Sequence, residues 1–465
     1  MNMINVRRLT VMTFLGAGML SGISAQVSPL QVDTLKETKI PDQWDLQSCI
    51  DYAKEQNITI RKNRITAVST QIDVKTAKAA LFPSLSFSTG HQVVNRPYQE
   101  TSSRVSGSEI ISSNSKTSYN GNYGLNASWT LYNGNKRVKT IQQEKLNNQM
   151  AELDVATSEN NIQESIAQVY IQILYAAESV KVNENTLQVS IAQRDRGQEL
   201  LNAGSIAKSD LAQLEAQVST DRYQLVTAQA TLEDYKLQLK QLLELDGENE
   251  MNIYLPALSD ENVLAPLPTK RDVYISALSF RPEIEASKLN VEASELGINI
   301  AKSSYFPTIS LSAGIGTNHT SGSDFTFGEQ VKNGWNNSIG LSVSVPIFNN
   351  RQTKSAVQKA KLQYETSMLS LLDEQKALYK TIESLWLDAN SAQQRYAAAN
   401  EKLKSTQISY ELISEQFNLG MKNTVELLTE KNNLLQAQQE QLQAKYMAIL
   451  NTQLLKFYQG DQLAL

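Results

Sequence analysis

Histidine and cysteine are almost missing from this sequence, with two of the former and one of the latter in 465 residues. Their scarcity excludes disulfide-stapled scaffolds, zinc ribbons and Cys/His metal clusters. Proline is also scarce, at 10 residues, and none falls between Pro97 and Pro256 or after Pro346. Two long stretches therefore carry nothing that would break a helix. Cations hold no surplus: 43 Lys and Arg stand against 48 Asp and Glu, a net charge of −5. A nucleic-acid partner is not expected, because phosphate neutralisation needs clustered Lys and Arg. The sequence has no Gly-rich phosphate loop, Gly-x-Ser-x-Gly elbow or His-Glu-x-x-His pair, so it does not read as an enzyme and implies no cofactor or metal.

What is present begins with a targeting signal. Arg7 and Arg8 precede an apolar run from Leu9 to Leu20, followed by Ser21-Gly22-Ile23-Ser24-Ala25. This is the charged, apolar and small-residue order of a secretory signal, with cleavage expected after Ala25. The apolar run is shorter than the ~20 residues that cross a bilayer as a helix. Losing Arg7 and Arg8 takes the net charge from −5 to −7, and Cys49 lies too far along to be an N-terminal lipidation residue. Residence in a membrane would then require β-strands.

The remainder is written twice. Ala77-Lys78-Ala79-Ala80-Leu81-Phe82-Pro83 recurs as Ala301-Lys302-Ser303-Ser304-Tyr305-Phe306-Pro307, an offset of 224. Tyr132-Asn133-Gly134 recurs as Phe348-Asn349-Asn350 at an offset of 216, which then pairs Gly204 with Gly420 and Asp210 with Glu426. The eight extra residues of the first copy fall between Pro83 and Gly124, in a Ser/Thr/Gly-rich stretch that reads as a loop. The expected organisation is a signal at 1–25, a first repeat at 26–246, a proline-bearing linker at 247–269 and a second repeat at 270–465. Each repeat would hold a helix, a strand pair and a long helix hairpin.

Strict alternation from Tyr119 to Leu131 sets Tyr119, Tyr123, Leu125, Ala127, Trp129 and Leu131 against Asn120, Asn122, Asn126, Ser128 and Thr130. Ile339 to Ile347, Ser84 to Thr89 and Thr308 to Thr317 alternate likewise, giving four strands. Beyond each pair the spacing becomes helical: Tyr364, Leu371, Leu378, Leu385, Ala392 and Ala399 form a seven-residue series that implies packed, supercoiled helices. From Asn350 to Leu419 this predicts ~70 helical residues, about 100 Å. Four half-apolar strands cannot close a membrane barrel, and open edges cannot face lipid, so the strands must pair with those of other copies.

With these features the chain resembles the TolC-like outer-membrane efflux channel family. The resemblance rests on the doubled Phe-Pro starts Phe82-Pro83 and Phe306-Pro307, the Tyr132-Asn133-Gly134 exit and the opening Trp44-Asp45-Leu46 segment. Most specific are the hairpin tips Asn202 to Asp210 and Asn418 to Leu428. It implies an α+β membrane protein of the Gram-negative outer membrane: a homotrimer whose four strands per chain contribute to a shared twelve-stranded barrel, continued by a long α-helical coiled-coil tunnel into the periplasm. It also implies the role of exit duct for a tripartite efflux or type I secretion system. The partners would be outer-membrane lipid, a periplasmic adaptor and an inner-membrane RND-type or ABC-type transporter. The competing reading is a trimeric surface adhesin or structural coiled-coil protein with a shared β-barrel anchor; in an adhesin the strands would gather at the C-terminus.

Gly204 and Gly420 sit where a helical pattern must reverse. The resemblance adds that Gly204, Ser205, Gly420 and Met421 meet the adaptor. Asp210 and Glu426 read as helix-start acids, Asn423 with Glu426 as a capping box. By resemblance, Asp210, Phe417 and Lys422 belong to a periplasmic gate and Glu426 to a ring in the pore constriction. Here Phe417 replaces a tyrosine, Lys422 an arginine and Thr429 a second ring acid, so a closed state held by Lys422 and Asp210 should be looser. Cys49 matches Val273 and reads as an apolar core residue. His91 and His319 read as rim residues, and Trp129, Tyr132, Trp335 and Phe348 as an interfacial girdle or ordinary strand residues.

Overall fold

The computed structural model describes residues 40–98, 102–106, 109–113, 116–246, 251–256, 263–321, 323 and 325–463. The signal segment at 1–25 and part of the 247–269 linker lie outside the described residues.

Two short helices open the first half, α1 (Leu46–Gln56) and α2 (Ile58–Ala79), each capped by a side chain that accepts from backbone N–H groups, Asp45 for α1 and Asn57 for α2. Strand β1 (Ser84–Asn95) follows, then a small hairpin of β2 (Ser102–Ser106) and β3 (Glu109–Ser113), then β4 (Thr117–Asn133). The chain leaves the sheet into α3 (Lys136–Asn202), a helix of 67 residues, and returns in α4 (Lys208–Leu242). The second half runs α5 (Lys270–Phe280), α6 (Pro282–Ser303), β5 (Thr308–Thr320), α7 (Phe327–Asn333), β6 (Asn336–Ser344), α8 (Gln352–Asn418, again 67 residues) and α9 (Thr424–Gln459).

The four long strands form one antiparallel sheet in the order β1-β4-β5-β6, leaving β1 and β6 as open edges. Register gives the sheet two chemically distinct faces. One row joins Phe87, Leu125 and Ile315, and its neighbour joins Ala313 to Ile339; the opposite rows join Ser86, Asn126 and Gly314, and Ser312 to Gly340. No Asp, Glu, Lys or Arg occurs in any of these four strands. Strands of 12, 17, 13 and 9 residues match the ~9–11 a tilted strand needs to cross a bilayer. Among the described residues no helix is long and apolar enough to do so.

Three features differ from the sequence expectation. The loop in the first copy folds in part into the β2–β3 hairpin, in which Val105 pairs in register with Ile110. The second repeat inserts helix α7 between its strands, capped by Thr326 and Glu329. Strand β6 ends at Ser344 rather than Ile347, because Pro346 has no N–H to give a ladder.

The helical core lies where α1 and α5 pack on the middles of the long helices, with Trp44, Ile50, Ile166, Tyr170, Ile173, Ile284 and Leu455 fully buried or nearly so. Cys49 and Val273 are both wholly buried, as are Ala53 with Ala277 and Ile60 with Ile284, each pair at the 224 offset. Burial pushes the Cys49 thiol up to about 12, so it is inert. The visible part of the linker is pinned: Trp44 N–H donates to Asn252 O, Tyr254 N–H donates to Trp44 O, each at 2.8 Å, and Val263 is buried against Ala392, Tyr396 and Ala448.

Candidate functional site at the hairpin tips

Each long helix reverses through the same turn. Gly204 and Gly420 both have φ +74, a conformation that penalises any side chain. Ser205 N–H reaches Leu200 O at 2.8 Å and Gly204 N–H reaches Leu201 O at 2.9 Å; in the second tip Met421 N–H reaches Gln416 O at 2.8 Å and Gly420 N–H reaches Phe417 O at 2.9 Å. This is the Schellman arrangement, which satisfies the last carbonyls of α3 and α8. Ser205 and Met421 project from the tips and are exposed, whereas Phe417 is buried. A Cβ built on either glycine would meet nothing within 4 Å.

The two acids are held locally. Ala207 N–H donates to the Asp210 carboxylate at 3.0 Å. Glu426 closes a capping box with Asn423: Glu426 N–H donates to Asn423 Oδ1 at 2.9 Å and Asn423 N–H donates to the Glu426 carboxylate at 3.3 Å. Lys422 donates to Glu426 at 2.8 Å. That bond, followed by the Asn423 N–H, holds the Glu426 carboxyl below its ordinary value. Within one chain, then, Lys422 is paired with Glu426 and not with Asp210: Lys422 directly precedes the Asn423 cap, and the Glu426 carboxylate reaches back over the helix start toward both.

Behind the tips lies a buried charge cluster that the sequence reading missed. Lys431 of α9 donates to both Asp221 of α4 and Ser190 of α3, and Ser190 donates to Asp221. Gln217 adds a donor to Asp221 at 2.9 Å and reaches Asn432 at 3.3 Å. Lys431 and Asp221 are 3% and 1% exposed. Burial lowers the Lys431 pKa, and Asp221 opposes the shift. The signal was in the periodicity: Lys431 interrupts the buried stripe Leu427 to Leu434, and Asp221 extends the stripe Leu214, Val218. Gln193 to Tyr410 at 2.8 Å and Ser179 to Gln439 at 3.0 Å tie the two hairpins further.

A second missed cluster sits at the α5–α6 junction. The Arg281 guanidinium lies 4.0 Å from the centre of the Tyr458 ring and pairs with Glu283 at 2.7 Å and Glu164 at 3.2 Å. It joins the junction to α3 and the end of α9 and is structural.

The sequence profile of the outer membrane efflux protein family matches residues 49–244 and 273–460. The chain belongs to the outer membrane efflux protein family. The two matched blocks correspond to the two halves described above. Outer membrane protein TolC of Escherichia coli (strain K12) is 22% identical over 417 residues, 88% of this chain and 80% of that protein. Outer membrane efflux protein BepC of Brucella suis biovar 1 is 24% identical over 294 residues, 63% of this chain and 61% of BepC. Among solved structures, that of CusC superposes with a TM-score of 0.75 at 19% identity, covering 90% of this chain and 92% of CusC. VceC from Vibrio cholerae gives 0.73 at 16%, covering 90% and 97%. These likenesses are of fold. The efflux protein resides in the outer membrane, and its family consists of channel proteins rather than enzymes.

Proposed function

We propose that this efflux protein is the outer-membrane exit duct of a tripartite efflux or type I secretion system, passively conducting solutes delivered by a periplasmic adaptor and an inner-membrane RND-type or ABC-type transporter. The observation that carries the reading is the open, two-faced, uncharged sheet. Its β1 and β6 edges need partners, its apolar face suits lipid and its Ser/Asn/Gly face suits a water-filled lumen. Three copies joined edge to edge would give twelve strands, with α3, α4, α8 and α9 of each chain forming a tunnel below. The proposed organisation is a repeat at 26–246, a linker at 247–269 and a repeat at 270–465.

The tips are the proposed docking surface. Gly204, Ser205, Gly420 and Met421 form bare turns, and Leu419, Met421 and Val425 present exposed apolar side chains, uncovered by any of the described residues. Asp210, Phe417 and Lys422 are the proposed gate and Glu426 the proposed constriction. Three-fold repetition would turn each Glu426 into a member of a carboxylate ring. The test is ion conductance by the purified protein in planar bilayers: a stable aqueous conductance is expected, and a protein that inserts without conducting would contradict the duct.

A further inference from the structure

The charge of this chain is distributed unevenly along its helices. At the sheet-proximal ends, α3 opens with Lys136, Arg137, Lys139 and Lys145 within its first ten residues. Its counterpart α8 follows Arg351 with Lys354, Lys359 and Lys361. The last ten residues of α2 add Lys75 and Lys78, and those of α6 add Lys302. Against these eleven cations the same stretches hold three acids, Asp73, Glu144 and Glu295. At the tip ends the balance reverses: the ten-residue tip ends of α3, α4, α8 and α9 hold eight acids against four cations, Arg194, Arg196, Lys208 and Lys431.

Only part of the collar is accounted for among the described residues: Arg137 donates to Ala80 O, and Lys78 and Lys302 lie in the last turns of α2 and α6, where a cation suits the helix dipole. Among the described residues none of the eleven forms an ion pair, although thirteen such pairs occur elsewhere, from Arg64–Glu159 to Lys431–Asp221. Cations in the first turn of a helix oppose its dipole, and neither α3 nor α8 has an acid there to offset them. Most of these side chains, including all four from α8 and its cap, are exposed.

Between collar and sheet lie several uncovered apolar residues. Phe82 is 73% exposed, Ile347 97% and Phe348 83%, with Tyr305 and Phe306 about half exposed. An apolar sheet face, an aromatic belt and a cationic ring thus follow one another along the chain. A lipid leaflet presents the complementary order of acyl chain, interface and anionic headgroup.

We propose that this collar binds anionic phospholipid headgroups of the periplasmic leaflet of the outer membrane, fixing the depth at which the duct sits. The inference rests on the reading of the four strands as the membrane segment. Repetition across a trimer would multiply the attraction, which acts within a Debye length of the surface and weakens with salt.

The test offers purified full-length protein a mixture of two dye-marked vesicle populations, phosphatidylethanolamine with phosphatidylcholine and the same lipids with about one-fifth phosphatidylglycerol, as detergent is removed. The expected result is about tenfold enrichment in the anionic vesicles at low salt, abolished at about 0.5 M salt. Replacing Arg351, Lys354, Lys359 and Lys361 together by Gln should remove most of the enrichment, while Lys→Arg at the last three should retain it. Gln and Arg are both good helix formers, so α8 is preserved. Equal partition of the wild type, an enrichment that survives the Gln variant, or binding to purified peptidoglycan sacculi in place of anionic vesicles would overturn the proposal. So would a Gln variant that keeps its lipid preference but shifts reversal potential, since the charges would then face the lumen. Conductance separates the two readings: conducting protein without lipid preference overturns the collar alone, and absence of conductance in both lipids overturns the duct as well.

Discussion

Lys431 and Asp221 form an ion pair buried behind the hairpin tips, joining α9 to α4 across 210 residues of sequence. A buried ion pair adds little net stability over an apolar pair of similar volume, but removing one partner strands a charge and costs about 3–5 kcal/mol. Asp221→Ala or Lys431→Ala should therefore lower the thermal midpoint of the helical signal strongly. The double variant Asp221→Leu with Lys431→Met should recover most of the loss. Similar melting of both single variants and wild type would show that the pair is not desolvated in the assembly.

The tip glycines separate backbone strain from docking. Asn tolerates positive φ better than other non-glycine residues, so Gly204→Asn and Gly420→Asn should keep the turn, whereas Trp at either position adds strain of about 1–2 kcal/mol and a bulky side chain at the turn. The Trp variants should reach the outer membrane and fail to support solute export, and the Asn variants should melt like wild type. Normal export by both Trp variants would remove the docking assignment.

Acid should loosen the second tip through Glu426. Its folded pKa is depressed by the Lys422 bond and then by the Asn423 N–H, so the stabilisation is present above the ordinary 4.5 and is lost as pH falls through the depressed value. Amide exchange in the first turn of α9 should quicken across that window, and Glu426→Gln should abolish the step. A step that persists in Glu426→Gln would place the titration elsewhere.

Gly121 sits between His91 and His319 in the register of β1, β4 and β5, and a Cβ there would clash with the His319 ring. That ring is held by Tyr119, Tyr123 and Phe327 and cannot swing away freely. Gly121→Ala should reduce the heat resistance of the membrane form, and adding His319→Ala should restore it. Equal melting of the single variant would mean that the ring yields.

Residues with a strong local rule were legible in the sequence. The alternation around Trp129 predicts a two-faced strand because the pleat has a period of two, and Gly204 and Gly420 predict reversals because few residues take φ +74. The pairing of Lys431 with Asp221 was not legible, since each is one polar residue on an apolar stripe and the partnership exists only once α4 packs beside α9. Lys422 was assigned to Asp210 from the resemblance, while the capping geometry of α9 gave it a nearer acceptor in Glu426. Helix α7 has seven residues, too few for periodicity, although Thr326 and Glu329 spell its capping box.

The central claim is that the open β1 and β6 edges are completed by other copies of the same chain. Light scattering of the purified outer-membrane protein in mild detergent tests it most directly. The predicted result is a particle of three chains whose β-signal and mass are lost together on heating; a stable monomer retaining the full β-content would contradict it.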